Sequence, residues 1–342
     1  MAIKTLEIDH ILVFRKLSLS FGDEINVLIG ENGLGKTSIL KMIYTAAQNT
    51  TKHMELQECF LNQITNNDGI FVNQLDGTNG GIFRVTSGQH YYSEQYEVNR
   101  KGLTIPSDNN QAVKIPGARS LRGENWEKLN IPSVYIPATE MLSHANGFLA
   151  LNQKYNMPFD ATQVDIVVNA SLPEAKKVPS FMDDILAQIS KAIDGTVVQE
   201  NDTFYVVKND GRKVEFSLEA EGLRKLGLLW KLIRNGLLEP GSVLLWDEPE
   251  ANLNPELYDL VADILLILAQ NGVQVFVATH SYNFAKYLEI RRKQKEAVQF
   301  INLYKDDQNQ VQSQTAYYLQ ELNPNHIMEA DEKLLDEVYK DA

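Results

Sequence analysis

The 342-residue chain has a single cysteine, Cys59, so no internal disulfide can staple it, and no Cys/His cluster has zinc-ligand spacing. A buried structural thiol is the expected role for Cys59. No apolar run approaches the roughly 18 residues of a membrane-spanning helix, and Met1-Ala2-Ile3-Lys4-Thr5 offers no h-region. Nothing in the sequence therefore suggests export or membrane spanning, and a cytoplasmic location is expected. Positive charge is scarce too, with 32 Lys and Arg against 45 Asp and Glu and a net charge of −13. Such a surface does not coat nucleic acid, because phosphate contacts need concentrated Lys and Arg. Only a local DNA-binding patch stays open, and the densest basic stretch, Arg291-Arg292-Lys293-Gln294-Lys295, reads first as a solvated helix end. Heptads of coiled-coil length are also missing, so no long arm is expected.

What is present starts with Gly30-Glu31-Asn32-Gly33-Leu34-Gly35-Lys36-Thr37. This stretch fits the phosphate-loop pattern G-x-x-x-x-G-K-[ST] at every fixed position. At average glycine usage a chance match is expected in roughly one chain per hundred of this length. The flanks lower that further: Ile25, Val27, Leu28 and Ile29 read as a buried parallel strand, and Ile39, Leu40, Ile43 and Ala47 recur at helical spacing. A glycine-rich turn between strand and helix aims backbone N–H groups and the helix dipole at an anion. Lys36 would then face the β- and γ-phosphates, and the Thr37 hydroxyl a magnesium ion.

A second constellation lies in the C-terminal third. Val243, Leu244, Leu245 and Trp246 run straight into Asp247-Glu248, the apolar strand and acid of a Walker B element. Asp247 would serve the magnesium shell, and Glu248 would orient and deprotonate the attacking water. A helix with Leu257, Leu260, Val261, Ile264 and Leu268 on its apolar face stops at Asn271-Gly272. The strand Val273 to Ala278 then closes on Thr279-His280-Ser281. This order puts Asp247, Glu248 and His280 at the C-terminal edge of neighbouring parallel strands, where open α/β sheets bind ligands. A lone histidine is more often structural; in this frame His280 reads as a γ-phosphate contact.

The set GENGLGKT, LLWDEPEANLNP and VATHS resembles the ABC-type ATPase superfamily, in its soluble branch with the SMC, RecF and OLD-type ATPases. The resemblance covers the chain to about residue 48 and from about 216 to 304. It implies an α/β P-loop NTPase of ABC type, with a mostly parallel core sheet, an antiparallel β-subdomain and a helical insertion. ATP and Mg2+ are the cofactors it implies, held by Gly30, Glu31, Asn32, Gly33, Leu34, Gly35, Lys36, Thr37 and Ser38, with Thr37 and Asp247 at the metal. Lys36, Glu248 and His280 would be the catalytic residues. The family's signature motif falls on Ser217-Leu218-Glu219-Ala220-Glu221-Gly222, where Ala220 replaces the usual serine. In a homodimer with composite sites, Gly222 and Asn254 would reach the partner copy's nucleotide in trans.

Between these blocks the pattern is weaker. Ile82-Phe83-Arg84-Val85 and Tyr91-Tyr92 through Val98 suggest antiparallel strands, and Val134-Tyr135-Ile136-Pro137 suggests a core strand whose following Thr139-Glu140 could approach the nucleotide. The family's Q-loop glutamine has only Gln74 as a candidate. Residues 141–195 read as mainly helical, with an apolar stripe of Phe181, Ile185, Leu186, Ile189 and Ile193. Thr203 to Phe216 reads as a hairpin turning at Asn209-Asp210-Gly211. The division that follows is 1–140, an N-terminal ATPase lobe with the β-subdomain; 141–215, a helical insertion and hairpin; 216–305, a C-terminal ATPase lobe; and 306–342, a tail. That tail, with its acidic stretch Glu329 to Tyr339, is too short for an appended nuclease. The resemblance thus implies a sensor or regulator of a prokaryotic defence or genome-maintenance complex, its effector, such as a nuclease, being a separate protein. A RecF-like DNA-repair ATPase is the alternative. A transporter subunit is disfavoured by Pro249-Glu250-Ala251-Asn252 and by the altered signature.

Overall fold

The computed structural model describes residues 2–60, 80–97, 119–123, 125–155 and 157–340. In chain order, the hairpin β1 (Thr5–Ile11) and β2 (Phe14–Ser20) leads into β3 (Ile25–Gly30) and α1 (Lys36–Gln48). Next come β4 (Gly80–Ser87), β5 (His90–Glu97), β6 (Arg119–Arg122) and β7 (Ser133–Ile136), then the helices α2 (Phe148–Tyr155), α3 (Ala161–Ser171) and α4 (Phe181–Ala192). Three short strands, β8 (Gly195–Glu200), β9 (Thr203–Lys208) and β10 (Lys213–Glu215), precede α5 (Glu221–Arg234). The C-terminal part runs β11 (Val243–Asp247), α6 (Tyr258–Gln270), β12 (Gln274–Ala278), α7 (Tyr282–Arg291), β13 (Val298–Lys305), β14 (Val311–Ala316) and α8 (His326–Lys340).

The central sheet has six strands in the order β14-β13-β3-β12-β11-β7. All pairs are parallel except β13 with β14. Every residue of β3, β11 and β12 is buried, as expected of strands covered on both faces. The pleat then sorts them by parity. Val27, Leu244, Trp246 and Val275 enter a core built with α3 to α7, whereas Leu28, Val243, Leu245 and Phe276 enter a second core with α1 and an antiparallel sheet. That second sheet has the order β2-β1-β4-β5-β6.

The expected parallel core and antiparallel subdomain are both present, with two additions. The antiparallel sheet takes in β1 and β2 from the chain start, because Leu6 and Ile8 of β1 face Val85 and Phe83 of β4 across the ladder. The expected two-strand hairpin is three-stranded, β8 joining β9 directly after α4. The core strand at Val134 is β7, at the sheet edge beside β11. Val98 to residue 105, and Gln74, lie outside the described residues.

The helices that carry the site are tied down by side chains. On α1, Lys41 donates to Asp160 Oδ2 at 2.9 Å and to the Cys59 carbonyl at 2.7 Å, and the Tyr44 hydroxyl donates to Asp165 at 2.6 Å. Asp160 is itself the N-cap of α3, in a capping box with Gln163. Cys59 is fully buried, and burial pushes its thiol up to about 12, so it stays a packing thiol. The basic stretch at 291–295 is engaged by the fold: Arg291 pairs with Asp263, Arg292 donates to the carbonyls of Val298 and Tyr317, and Lys295 lies over the Tyr317 and Tyr318 rings. The acidic C-terminal stretch is α8, none of whose residues is buried.

Candidate functional site

The phosphate loop turns at the C-terminal end of β3, in the middle of the six-stranded sheet. Gly33 and Gly35 both have positive φ, +76° and +86°, which L side chains adopt only under strain. They serve different ends. A Cβ on Gly35 would lie 2.4 Å from Phe14 Cζ, so the fold itself requires that glycine; a Cβ on Gly33 would meet nothing within 4 Å. The space above Gly33 is open to a ligand. Helix α1 begins at Lys36, after Gly35, with no side-chain cap and no acid in its first turn, leaving its first N–H groups for an anion.

Lys36 is 6% exposed. Its ammonium donates to the carbonyls of Gly30 at 2.8 Å and Glu31 at 2.7 Å and sits 3.3 Å from His280 Nδ1. Burial lowers it to about 8, against the opposing pull of Asp247, Glu248, Glu250 and Glu31. An ammonium can only donate, so this contact is a hydrogen bond in the tautomer whose Nδ1 accepts. Burial, then the neighbouring Lys36 charge, keeps the His280 pKa below its ordinary value.

The Walker B side meets this loop directly. Thr37 Oγ1 donates to Asp247 Oδ2 at 2.8 Å, closing a contact between residues 210 apart in sequence. The Tyr135 hydroxyl of β7 donates to the same oxygen at 3.3 Å. Burial raises the Asp247 carboxyl, and these two donors partly offset it. Among the described residues no group of three or more His, Cys, Asp or Glu could hold a metal alone. The hydroxyl and carboxylate pair nevertheless suits a hard cation that takes oxygen ligands and keeps waters, magnesium being the type, provided phosphate oxygens complete the shell.

Glu248 follows at φ +49°, a left-handed setting that costs an ordinary residue about 1–2 kcal/mol. It is held from both sides: its N–H donates to the Ala278 carbonyl of β12 at 2.9 Å, and its own carbonyl accepts from Ala251 N–H at 3.1 Å and from Lys225 Nζ at 2.9 Å. The turn throws the side chain out beside His280, with Glu248 Oε1 3.4 Å from His280 Nε2, both about a third exposed. A carboxylate and an imidazole nitrogen at that separation can orient one water between base and phosphate.

Sequence reasoning named Lys36, Thr37, Asp247, Glu248 and His280, and these five residues meet at one sheet edge. It passed over Tyr135, Lys225 and Glu250. Glu250 is nine-tenths buried; its Oε1 accepts from the Thr279 hydroxyl at 2.5 Å and from the His280 backbone N–H at 3.2 Å, fixing the histidine turn. The run of three acids in four residues at 247–250 was the available signal. Glu140, in the loop after β7, is buried, pairing with Arg224 at 3.3 Å and capping the Leu142 and Ser143 amides.

The signature segment lies against the loop after Walker B within the same chain. A Cβ on Gly222 would come within 2.8 Å of the Asn252 carbonyl and 3.0 Å of Leu253 Cα, so glycine lets α5 pack there. Asn254 is exposed and caps its own turn by accepting from Glu256 N–H at 3.2 Å. Ser217, Ala220, Asn252 and Asn254 are exposed around this junction, and Leu218 is 78% exposed.

The charge on Lys36 gives the loop a pH signature. Free, this ammonium titrates near 8; beside phosphates it would hold its proton to higher pH. An anionic nucleotide is therefore expected to bind with proton uptake above pH 8, its Kd rising by up to about tenfold per pH unit beyond that point. Calorimetry at pH 8.5 in two buffers of different ionisation enthalpy measures the uptake. A Kd that stays flat from pH 7 to 9.5 with no proton taken up would exclude it.

Known proteins are similar to this chain. A family model described as "AAA domain, putative AbiEii toxin, Type IV TA system" matches residues 25–285. The L-cystine import ATP-binding protein TcyN of Bacillus subtilis (strain 168) is 29% identical over 142 residues, 36% of this chain and 55% of that protein. The DNA replication and repair protein RecF of Shouchella clausii (strain KSM-K16) is 45% identical over 47 residues, 14% of this chain and 13% of that one. The chain thus spans about half the length of the first relative and about an eighth of the second. Among solved structures, a SmcHead bound to the C-winged helix domain of ScpA superposes over 92% of this chain and 98% of that chain, with a TM-score of 0.55 at 14% identity, a likeness of fold.

Proposed function

The chain belongs to the AAA-domain family whose model it matches, among ATPases of the ABC, SMC and RecF type, and from that premise we propose that it binds Mg-ATP between two of its own copies and hydrolyses it. The observation that carries this reading is the Thr37–Asp247 contact, which joins phosphate loop and Walker B into one oxygen-lined corner. Lys36 and the α1 amides hold the β- and γ-phosphates, while Tyr135 steadies Asp247. Magnesium, when bound at Thr37 and Asp247, supplies neutralisation of the developing phosphate charge. Glu248 accepts the proton of the attacking water, and the His280 ring faces that water and the γ-phosphate.

In this reading residues 1–140 and 216–305 form the ATPase lobes, 141–215 the helical lobe and 306–342 a tail. Gly222 and its neighbouring amides cap the γ-phosphate of the partner copy, and Asn254 reaches across beside them. ATP favours the closed pair because ADP lacks the phosphate they grip. The biological setting is that of a sensor or regulatory subunit in a prokaryotic defence or genome-maintenance complex, working through a separate effector protein. The family description and the RecF and SMC likenesses are compatible with it, and the net charge of −13 favours protein contacts over direct DNA binding.

Phosphate release from Mg-ATP by the purified chain is the direct test; no release and no Mg-ATP-induced thermal shift would remove the proposal. A surface prediction accompanies it. Leu218→Glu, placing a charge on the exposed signature flank, is expected to abolish ATP-dependent dimerisation on a sizing column while leaving the thermal midpoint within about 2 °C, as surface changes do. A dimer that persists undiminished would move the contact elsewhere.

A further inference from the structure

Lys225 is a buried cation that the reaction as described does not use. It stands one turn into α5, is 2% exposed, and aims Nζ at the carbonyl of Glu248, 2.9 Å away. A methionine would fill that space without the cost of burying an ammonium. Four carboxylates act on it, those of Glu250, Glu221, Glu248 and Asp247, and burial nonetheless lowers its pKa. The carbonyl it grips belongs to a residue with left-handed backbone. Apart from Lys225, the bond described to that carbonyl is from Ala251 N–H, within the same tight turn. Three residues before Lys225 on the same helix is Gly222, seated against Asn252 and Leu253 of the loop that follows Glu248. One end of α5 thus touches both the signature turn and the backbone that sets the direction of the general base.

We propose that Lys225 is the positioning residue that ties Glu248 of one site to the signature turn engaging the nucleotide of the other copy. The inference rests on the ATPase reading and deepens it. Lys225 already holds the Glu248 carbonyl in the single chain; a start of α5 seated on the partner's γ-phosphate keeps that bond in place, and with it the outward course of the carboxylate toward the water. Without Lys225 the nucleotide still binds, but the base is left loosely aimed, a misplacement to which proton transfer is sensitive.

The test compares Lys225→Met, Lys225→Arg and wild type in steady-state ATP hydrolysis. Lys225→Met is expected to lower kcat at least tenfold with KM within twofold, and Lys225→Arg, which still donates to a carbonyl, to recover most of that loss. Combining Lys225→Met with Glu248→Gln should slow single-turnover hydrolysis no further than Glu248→Gln alone, since the lysine acts through that residue. If Lys225→Met fails to fold, Lys225→Gln is read by the same kcat and KM split. A Lys225→Met enzyme at the wild-type kcat, a parallel loss of ATP affinity, or additive effects in the double variant would overturn the inference while leaving the ATPase reading intact. A wild-type chain that hydrolyses no ATP would overturn both.

Discussion

Glu248→Gln is expected to bind Mg-ATP as tightly as the wild type, to hydrolyse it about 10²–10⁴-fold more slowly, and to elute as a dimer in ATP but not in ADP. The glutamine keeps the size of the side chain beside His280 and leaves untouched the backbone contacts with Ala278 and Lys225 that hold the turn. Only the ability to take a proton from water is removed. The closed pair is then caught at the stage where both γ-phosphates are still in place. Phosphate release and the elution profile read the two halves of the expectation separately. Turnover at the wild-type rate would take Glu248 out of the role of base, and a slow variant that stays monomeric in ATP would take away the clamp.

Lys36→Ala carries the second large effect, the loss of nucleotide binding itself. Charge-assisted hydrogen bonds contribute about 1.5–3 kcal/mol each, so an ammonium shared between the β- and γ-phosphates accounts for roughly 3–6 kcal/mol, or on the order of 10²–10⁴-fold in Kd. The same change removes the only cation drawn toward Gly30 and Glu31 carbonyls and His280 in the described site. His280 then loses the charge that helps hold its pKa down, so its titration, followed by NMR, should move upward. Lys36→Met serves as the control for volume. A fluorescent ATP analogue that binds Lys36→Ala within threefold of wild type would show that the loop does not grip phosphate through this residue.

Both predictions use residues that could be named without coordinates, because their chemistry is local. A phosphate loop needs a strand, a glycine turn and a helix start in succession, and Walker B needs an apolar strand ending in acid; each is a contiguous run whose residue types are dictated by one neighbour on either side. Parity did the same for the core. Continuous apolar runs such as Val243 to Trp246 belong to strands covered on both faces, and the sheet has them there. β1 and β2 do alternate, Leu6 and Ile8 against Glu7 and Asp9 and Leu17 and Leu19 against Ser18 and Ser20, a period-2 signal that sequence reasoning passed over, whereas β8, with Val197-Val198 followed by Gln199-Glu200, breaks the alternation.

The sequence by itself determined the phosphate loop, the acid pair, the histidine, and a mostly parallel sheet to align them, since each follows from residues adjacent in the chain. Only the tertiary structure decided which distant groups serve them: Tyr135 on Asp247, Lys225 on the Glu248 carbonyl, Glu250 beneath Thr279 and His280, and Gly222 against Asn252. The physical reason is that these contacts depend on strand order and register, with β7, β11, β12 and β3 side by side, and on separations of about 3 Å between atoms that composition and periodicity leave unordered.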